Sequence, residues 1–232
     1  MKLLDTSGGN TKIAKTNKDS SIRYAGLSLM PTPELCPNSG AAGCFDGCLK
    51  SAGRGRMSNV KSGRMRKTEW LLRDTHGFKA QLIKELTNFE KLCLRNKQQP
   101  VVRLNTISDF NWRDIKQMFP KIIFLDYTKV ANRIKRKLPN ERYVFSYSGE
   151  PKFQSEVERA LALDDQPPIA VVFKGEFPKT FLGRTVIDGD KSDWVNANSR
   201  NVVVGLKAKG DLAKSEGLFA VDTNRITMIN LK

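Results

Sequence analysis

Beyond Pro100 one pattern limits what this chain can fold into. Short apolar runs recur at Val101–Leu104, Ile122–Leu125, Tyr143–Ser146, Ile169–Phe173 and Val202–Leu206, several of them separated by segments of helical character. Strand-length runs alternating with helical segments mark repeated β-α units, and hence a largely parallel sheet. Upstream, Ile22 to Met30 alternates apolar and polar as a strand, and Pro31, Pro33 and Pro37 stop it. Residues 54–74 place Met57, Val60, Arg64, Thr68 and Leu71 on one helical face, and residues 78–95 place Leu82, Leu86, Phe89 and Cys93 on another. Both stretches predict helices. The last stretch, Leu218–Val221 then Ile226–Asn230, predicts a closing hairpin. The expected fold is α/β, an incomplete (β/α) barrel with a largely parallel sheet. Its 232 residues, 39% of them hydrophobic, suffice for one core. We expect a polar segment over 1–20, with an edge strand at Thr11–Lys15, and a single α/β domain over 21–232.

In parallel α/β sheets, functional groups collect at the carboxyl ends of the strands, where the following loops converge. Reading each run to its end gives a cysteine loop after Met30, Asn105 to Asp109, Asp126 to Lys129, Ser146 to Ser148, and Lys207 to Lys209. Arg103, Asn105, Ser108 and Asp109 are expected either to hydrogen-bond a polar ligand or to form a turn capping a helix near Asn111, with Trp112 beneath it. Asp126 and Lys129 carry the same two readings, Lys129 as the neutraliser of an anionic substrate. The expected pocket is Arg103, Asn105, Asp109, Asp126 and Lys129.

The cysteine loop places Cys36, Cys44 and Cys48 within 13 residues, among glycines and alanines that let the backbone wrap closely around a bound object. Cys44 and Cys48 are four apart, so they share one face of any helix that begins there. Thiolates select soft metals, zinc or iron–sulfur. Zinc asks for four ligands, usually as paired CxxC units, and neither pair occurs. Cys93 continues the apolar row Leu82, Leu86, Phe89. It is therefore either a core residue, which leaves a cluster with one open iron, or the fourth ligand.

Forty Lys and Arg against 24 Asp and Glu give a net charge of +16, enough to attract polyanions, nucleic acid first among them. Lys50, Arg54, Arg56, Lys61, Arg64, Arg66 and Lys67 form a basic run with no acidic residue from 47 to 68; it is either a nucleic-acid docking face or a solvated helix face. Arg133, Lys135, Arg136 and Lys137 add a second patch. Asp188, Asp190 and Asp193 are spaced to hold a hard cation or to form a solvated turn. The sole histidine, His76, excludes a multi-histidine metal site and gives little support to a Ser-His-Asp mechanism. No run of about 18 apolar residues and no leader-like opening occur, which predicts an intracellular chain without membrane contact and with reduced thiols.

Ordered motifs run from about residue 10 to 221: Asn10-Thr-Lys-Ile, the cysteine loop, Val102-Arg-Leu-Asn-Thr-Ile-Ser-Asp with Trp112, Phe124-Leu-Asp-Tyr-Thr-Lys, Ala170-Val-Val-Phe, Val186-Ile-Asp-Gly-Asp with Asp193, and Val204-Gly-Leu-Lys-Ala-Lys-Gly. On these the chain resembles the bacteriophage family labelled gene product 88, with Thr106 standing where the family motif has glycine. That family is distantly similar to radical-SAM proteins. The resemblance implies phage origin, residence in the host cytoplasm, a fold like a minimal radical-SAM core, and a 4Fe–4S cluster with S-adenosylmethionine as co-substrate. The chain departs from that pattern twice: the CxxxCxxC triad is absent, and Thr106-Ile107-Ser108 stands where a Gly-Gly-Glu-type element would follow the second strand. The expected function is an iron–sulfur protein, radical-SAM-like if catalytic, acting on an anionic or nucleic-acid substrate. The alternative is a non-enzymatic nucleic-acid-binding protein whose cluster or zinc is closed by Cys93.

Overall fold

The computed structural model describes residues 1–6, 21–45, 48 and 53–223. The expected strand at Thr11–Lys15, the Asn10 motif, Lys50 and the hairpin arm Ile226–Asn230 lie outside the described residues.

Among the described residues ten strands form one sheet: β1 (Leu4–Asp5), β2 (Ile22–Leu27), β3 (Gln99–Arg103), β4 (Ile123–Thr128), β5 (Glu141–Ser146), β6 (Ile169–Lys174), β7 (Thr180–Phe181), β8 (Arg184–Asp188), β9 (Val202–Lys207) and β10 (Ala220–Asp222). Their order is β1-β2-β3-β4-β5-β6-β9-β8-β7, with β10 added beside β6. The pairings from β2 through β6, β9 and β8 are parallel; only β1 and β7, at the two edges, are antiparallel. The six strands read from the apolar runs are all present. The fold is α/β with a largely parallel, mixed sheet, and among the described residues the two edges do not pair. Ala220–Asp222, in the first arm of the expected closing hairpin, runs parallel to β6, opposite Val172–Lys174.

Six α-helices of the described residues accompany the sheet: α1 (Ser58–Arg73), α2 (Thr75–Arg95), α3 (Arg113–Lys116), α4 (Ala131–Lys135), α5 (Gln154–Leu161) and α6 (Asp193–Asn198). Because side chains alternate along a strand, each strand serves two cores. On the outer face Ala25, Leu27, Val102, Leu104 and Phe124 pack against α2, whose Phe78, Leu82, Leu86, Phe89 and Cys93 recur at helical spacing. Farther along that face Phe145, Ile169, Val171 and Phe173 meet Ile134 of α4 and Val157 and Ala160 of α5. Burying each of these large side chains contributes about 1.5–3 kcal/mol. The inner face, Tyr24, Val101, Leu125, Tyr127, Val144, Ala170 and Val204, is covered by Ala197 and Trp194 of α6. Asp74 starts α2 by accepting the Gly77 N–H at 2.8 Å. His76 is exposed in the first turn of α2. Met57, expected on the buried face of α1, is 53% exposed, because α1 buries only Thr68 and Leu71.

Under the outer face lies a buried ion cluster. The Lys116 ammonium is 2.5 Å from Asp126 and 3.2 Å from Glu141, and it donates to the Tyr143 hydroxyl. Burial alone would lower the Lys116 ammonium, but Asp126, Tyr143 and Glu141 hold it well above its ordinary value. Burial pushes the Glu141 carboxyl up, and Lys116 with the Leu138 N–H more than reverses this, so its net shift is downward. A carboxyl depressed in the folded state contributes stability that is complete above the unfolded pKa and lost as pH falls through the folded one. Lys116→Met strands both carboxylates and should cost about 3–5 kcal/mol at pH 7. In urea unfolding the gap between variant and parent should narrow from pH 7 toward pH 4, as the stranded carboxylates protonate. A gap that stays constant over that range would contradict this account.

Candidate metal centre and ligand cavity

The chain leaves β2 into the cysteine loop, and prolines with small residues coil it into successive tight turns. Cys36 N–H donates to Thr32 O, Ser39 N–H to Cys36 O, Ala42 N–H to Asn38 O, Gly43 N–H to Gly40 O and Cys44 N–H to Ser39 O, all at 2.9–3.1 Å. Three ties hold the coil to the carboxyl ends of neighbouring strands. Asp109 N–H donates to Leu35 O at 3.0 Å, Asn38 Nδ2 to Lys129 O at 2.8 Å, and Ser148 Oγ to Ala42 O at 2.8 Å. Strand ends β3, β4 and β5 thus each grip the loop. Gly43 sits at φ +63°, and a Cβ there would lie 2.9 Å from the Glu150 carboxylate.

Between this loop and the inner face lies a cavity of about 180 Å³, lined by all three loop thiols and by Arg103, Asn105, Ile107, Asp109, Tyr127, Lys129 and Phe219. Burial pushes the Cys36 thiol up to about 11, with the Lys129 charge pulling the other way. For Lys129, burial acts downward, but Cys44, Asp109, Cys36 and Cys48 reverse it and hold the ammonium above its ordinary value. Lys129 is therefore the cation that feels all three thiols. Arg64 of α1 is lowered by burial and supported by Cys48, and its Nη1 is buried without a hydrogen-bond partner among the described residues.

Of the expected pocket residues, the structure keeps four at the cavity and turns one away. Asp126 faces the outer side, into the Lys116 cluster, because it alternates with Leu125 and Tyr127 on the inner side. Asn105 lines the cavity but is fully engaged. Its Oδ1 accepts from Ser108 Oγ, Phe110 N–H and Trp112 Nε1, and its Nδ2 donates to Phe110 O. Asn105 and Ser108 thus form a turn, and Trp112, the N-cap of the helix that begins at Arg113, makes no side-chain cap bond. Asp109 accepts from Arg133, Thr128 Oγ1 and Lys129 N–H. Arg103 gives Nε to Asn105 O at 3.1 Å and Nη1 to Asp193 at 2.8 Å, and stacks 4.4 Å from the Tyr127 ring centroid.

Cys93, read from the sequence as core residue or fourth ligand, lies in the core. It is fully buried in the α2 core, and its carbonyl accepts Gln98 N–H, which places it level with the amino-terminal start of β3. The loop thiols lie beyond the carboxyl ends, so at a strand rise of about 3.3 Å per residue about 15 Å of sheet separates them from Cys93. Among the described residues no three His, Cys, Asp or Glu side chains converge on a single-ion site. The Asp188, Asp190 and Asp193 set is likewise dispersed. Asp193 is buried against Arg103 and Tyr127, Asp190 pairs with Lys209, and Asp188 accepts Asp190 N–H. The basic run is divided. Arg54, Arg56, Lys61 and Arg66 are exposed, whereas Lys67 donates to Leu3 O at 2.8 Å and Arg64 turns toward Cys48. In the second patch Arg133 turns inward to Asp109 and Lys137 pairs with Asp165, while Lys135 and Arg136 are exposed.

Sequence reasoning left Tyr127 and Phe219 out of the pocket and put Asp193 in a cation site or solvated turn rather than against Arg103. Alternation from Leu125 would have found Tyr127, whereas nothing local links Asp193 or Phe219 to strand ends far away in the chain.

Fold and site together define an α/β protein with a largely parallel sheet and a thiol-lined cavity at the carboxyl ends of its strands. The chain belongs to the bacteriophage Gene product 88 family, whose model matches residues 1–222. No curated protein and no solved structure matches it. Among the described residues no helix is long and apolar enough to cross a membrane.

Gly43→Ala should cost about 1–2 kcal/mol for the left-handed backbone alone, and should raise the reactivity of the loop thiols toward a disulfide reagent. Gly40→Ala, with nothing within 4 Å of its Cβ, should leave both stability and reactivity near the parent. Equal behaviour of the two variants would contradict the strained turn.

Proposed function

We propose that this chain is a phage-encoded iron–sulfur protein in which Cys36, Cys44 and Cys48 hold a 4Fe–4S cluster at the cavity wall. The observation that supports this most is that three thiols from one short loop line a single cavity while the remaining thiol stands at the opposite end of the sheet. In a cluster each thiolate takes its own iron, so the sulfurs need to surround an object rather than meet at a point. Zinc asks four ligands to meet at one point, and Cys93 stands too far away to be one of them. A cluster held by Cys36, Cys44 and Cys48 would supply an open coordination position and a one-electron couple. The chain's own part is to fix the thiols through the three strand-end ties, to offset their negative charge with Lys129, and to wall the site from bulk water. The reaction class that goes with the resemblance is radical-SAM-like chemistry, with S-adenosylmethionine entering the cavity.

Anaerobic reconstitution should give coloured protein with iron, acid-labile sulfide and an electron-resonance signal on reduction. Cys36→Ser, Cys44→Ser and Cys48→Ser should each lose it, and Cys93→Ser should keep it. Colourless protein with stoichiometric zinc, or loss of the cluster in Cys93→Ser, would overturn the assignment. S-adenosylmethionine should alter the resonance spectrum of the loaded protein; an unaltered spectrum would leave a structural or electron-transferring cluster.

The substrate side of the proposal is a nucleic acid docked on the exposed cations Arg54, Arg56, Lys61 and Arg66, which lead from the cysteine loop into α1. Replacing these four with glutamine should weaken DNA or RNA binding and lower the slope of log K against log salt by about one for each phosphate that is no longer neutralised. An unchanged slope would make these charges surface solvation only.

A further inference from the structure

The charges around the cavity are unequally matched. Both lining carboxylates are taken: Asp109 by Arg133, Thr128 and Lys129 N–H, and Asp190 by Lys209 at 2.5 Å and Lys207 N–H at 3.1 Å. Of the four lining cations, Lys209 is taken by Asp190 and Lys207 by Gly175 O and Glu176, which leaves Arg103 and Lys129. Arg103, among the residues that line the cavity, is engaged through Nε and Nη1, which among the described residues leaves Nη2. Lys129 has no carboxylate within ion-pair distance among the described residues, and its Nζ stands 5.2 Å from the centroid of the Phe219 ring. Beside these two cations the wall is apolar: Ile107, Val172, Leu206 and Phe219.

We infer that this end of the cavity binds a small molecule carrying one carboxylate or phosphate on an apolar body, the anion held between Lys129 and Arg103 Nη2 and the body set against Phe219 and Leu206. A cation facing a cavity partly shielded from water attracts an anion more strongly than one on the open surface, and charge-assisted hydrogen bonds from ammonium and guanidinium orient it. A few convergent polar groups in an apolar wall are the usual make-up of a small-molecule site. Arg103 is itself held by Asp193 and the Tyr127 ring, so the guanidinium is already fixed before a ligand arrives. The site does not rest on the cluster: it is built of side chains that ligate no metal, and it is tested on metal-free protein.

The probe is 8-anilinonaphthalene-1-sulfonate, one anion on an aromatic body, titrated into the metal-free full chain and followed by fluorescence. Benzoate and phenyl phosphate compete for it, and the one that displaces at lower concentration identifies the head group. Benzyl alcohol, with a similar body and no charge, should not displace. Lys129→Met should raise the probe's Kd by about tenfold or more, with circular dichroism unchanged. Arg103→Lys keeps a charge opposite Asp193 and loses the forked nitrogen, so it should weaken binding less. Arg136→Gln, which removes an exposed cation, should bind as the parent does. Unchanged affinity in Lys129→Met, displacement by benzyl alcohol as good as by benzoate, or equal weakening in Arg136→Gln would each overturn the site. A protein that takes up no cluster yet shows the expected displacement refutes the cluster alone; a loaded protein that shows none refutes the anion site alone.

Discussion

The Asp126 carboxylate is the contact on which the cavity mouth depends. Buried beneath the end of β4, it takes the Lys116 ammonium at 2.5 Å and the Asn105 N–H at 3.1 Å. That second bond fixes the first residue of the turn after β3. Asn105 then organises this turn through Ser108, Phe110 and Trp112, and its carbonyl receives Arg103 Nε. Asp109, at the far side of the turn, donates its N–H to Leu35 and so holds the cysteine loop. One buried charge, compensated by one lysine, therefore fixes both a cavity cation and the segment that carries the thiols. An ion pair of this kind adds little net stability, but removing either partner leaves an uncompensated charge that the surroundings cannot solvate.

A second ion pair does the corresponding work on the inner face. Arg103 and Asp193, 90 residues apart, join β3 to α6, and Tyr127 and Asn196 complete the network by hydrogen bonds of 3.1 and 3.0 Å. The short α6 packs on β4 and β5 and forms the floor on which the cavity stands. Much of the charge near the site is thus consumed internally. The large positive excess of the whole chain says little about which cations a ligand meets.

How much of this was legible follows from the range of each signal. Strand-length apolar runs and the α2 stripe are local patterns, and the six runs and two helices read from them are all present. The rule that polar residues gather at carboxyl ends was also sufficient to bring Cys36, Cys44, Cys48, Arg103 and Lys129 to one place. What it lacked was parity. Asp126 stands one residue from Tyr127, and the period of two sends them to opposite faces. Cys93 was ambiguous as a member of an apolar row, yet its position just before β3 already assigns it to the amino-terminal edge. Asp193 resembled a solvated turn because its partner is distant in sequence. The two-residue strands β1 and β7 carry too few residues for any pattern, and no local pattern announces that β10 pairs in parallel with β6.

The placing of β10 has a geometric consequence. β5 and β10 occupy the same edge of β6, β5 at Ile169 and Ala170 and β10 from Val172 onward. The sheet therefore forks: past Tyr147 the chain leaving β5 diverges, and at Gly149 it gives its N–H to Leu218 rather than to β6. Phe219 rides at the crotch of that fork, between the strand that turns away and the strand that replaces it. The fork thus brings Phe219 to the wall of the cavity between the cysteine loop and the inner face. The strand that carries it there is three residues long and buries only Ala220, so this wall residue is held by a segment with little stake in either core.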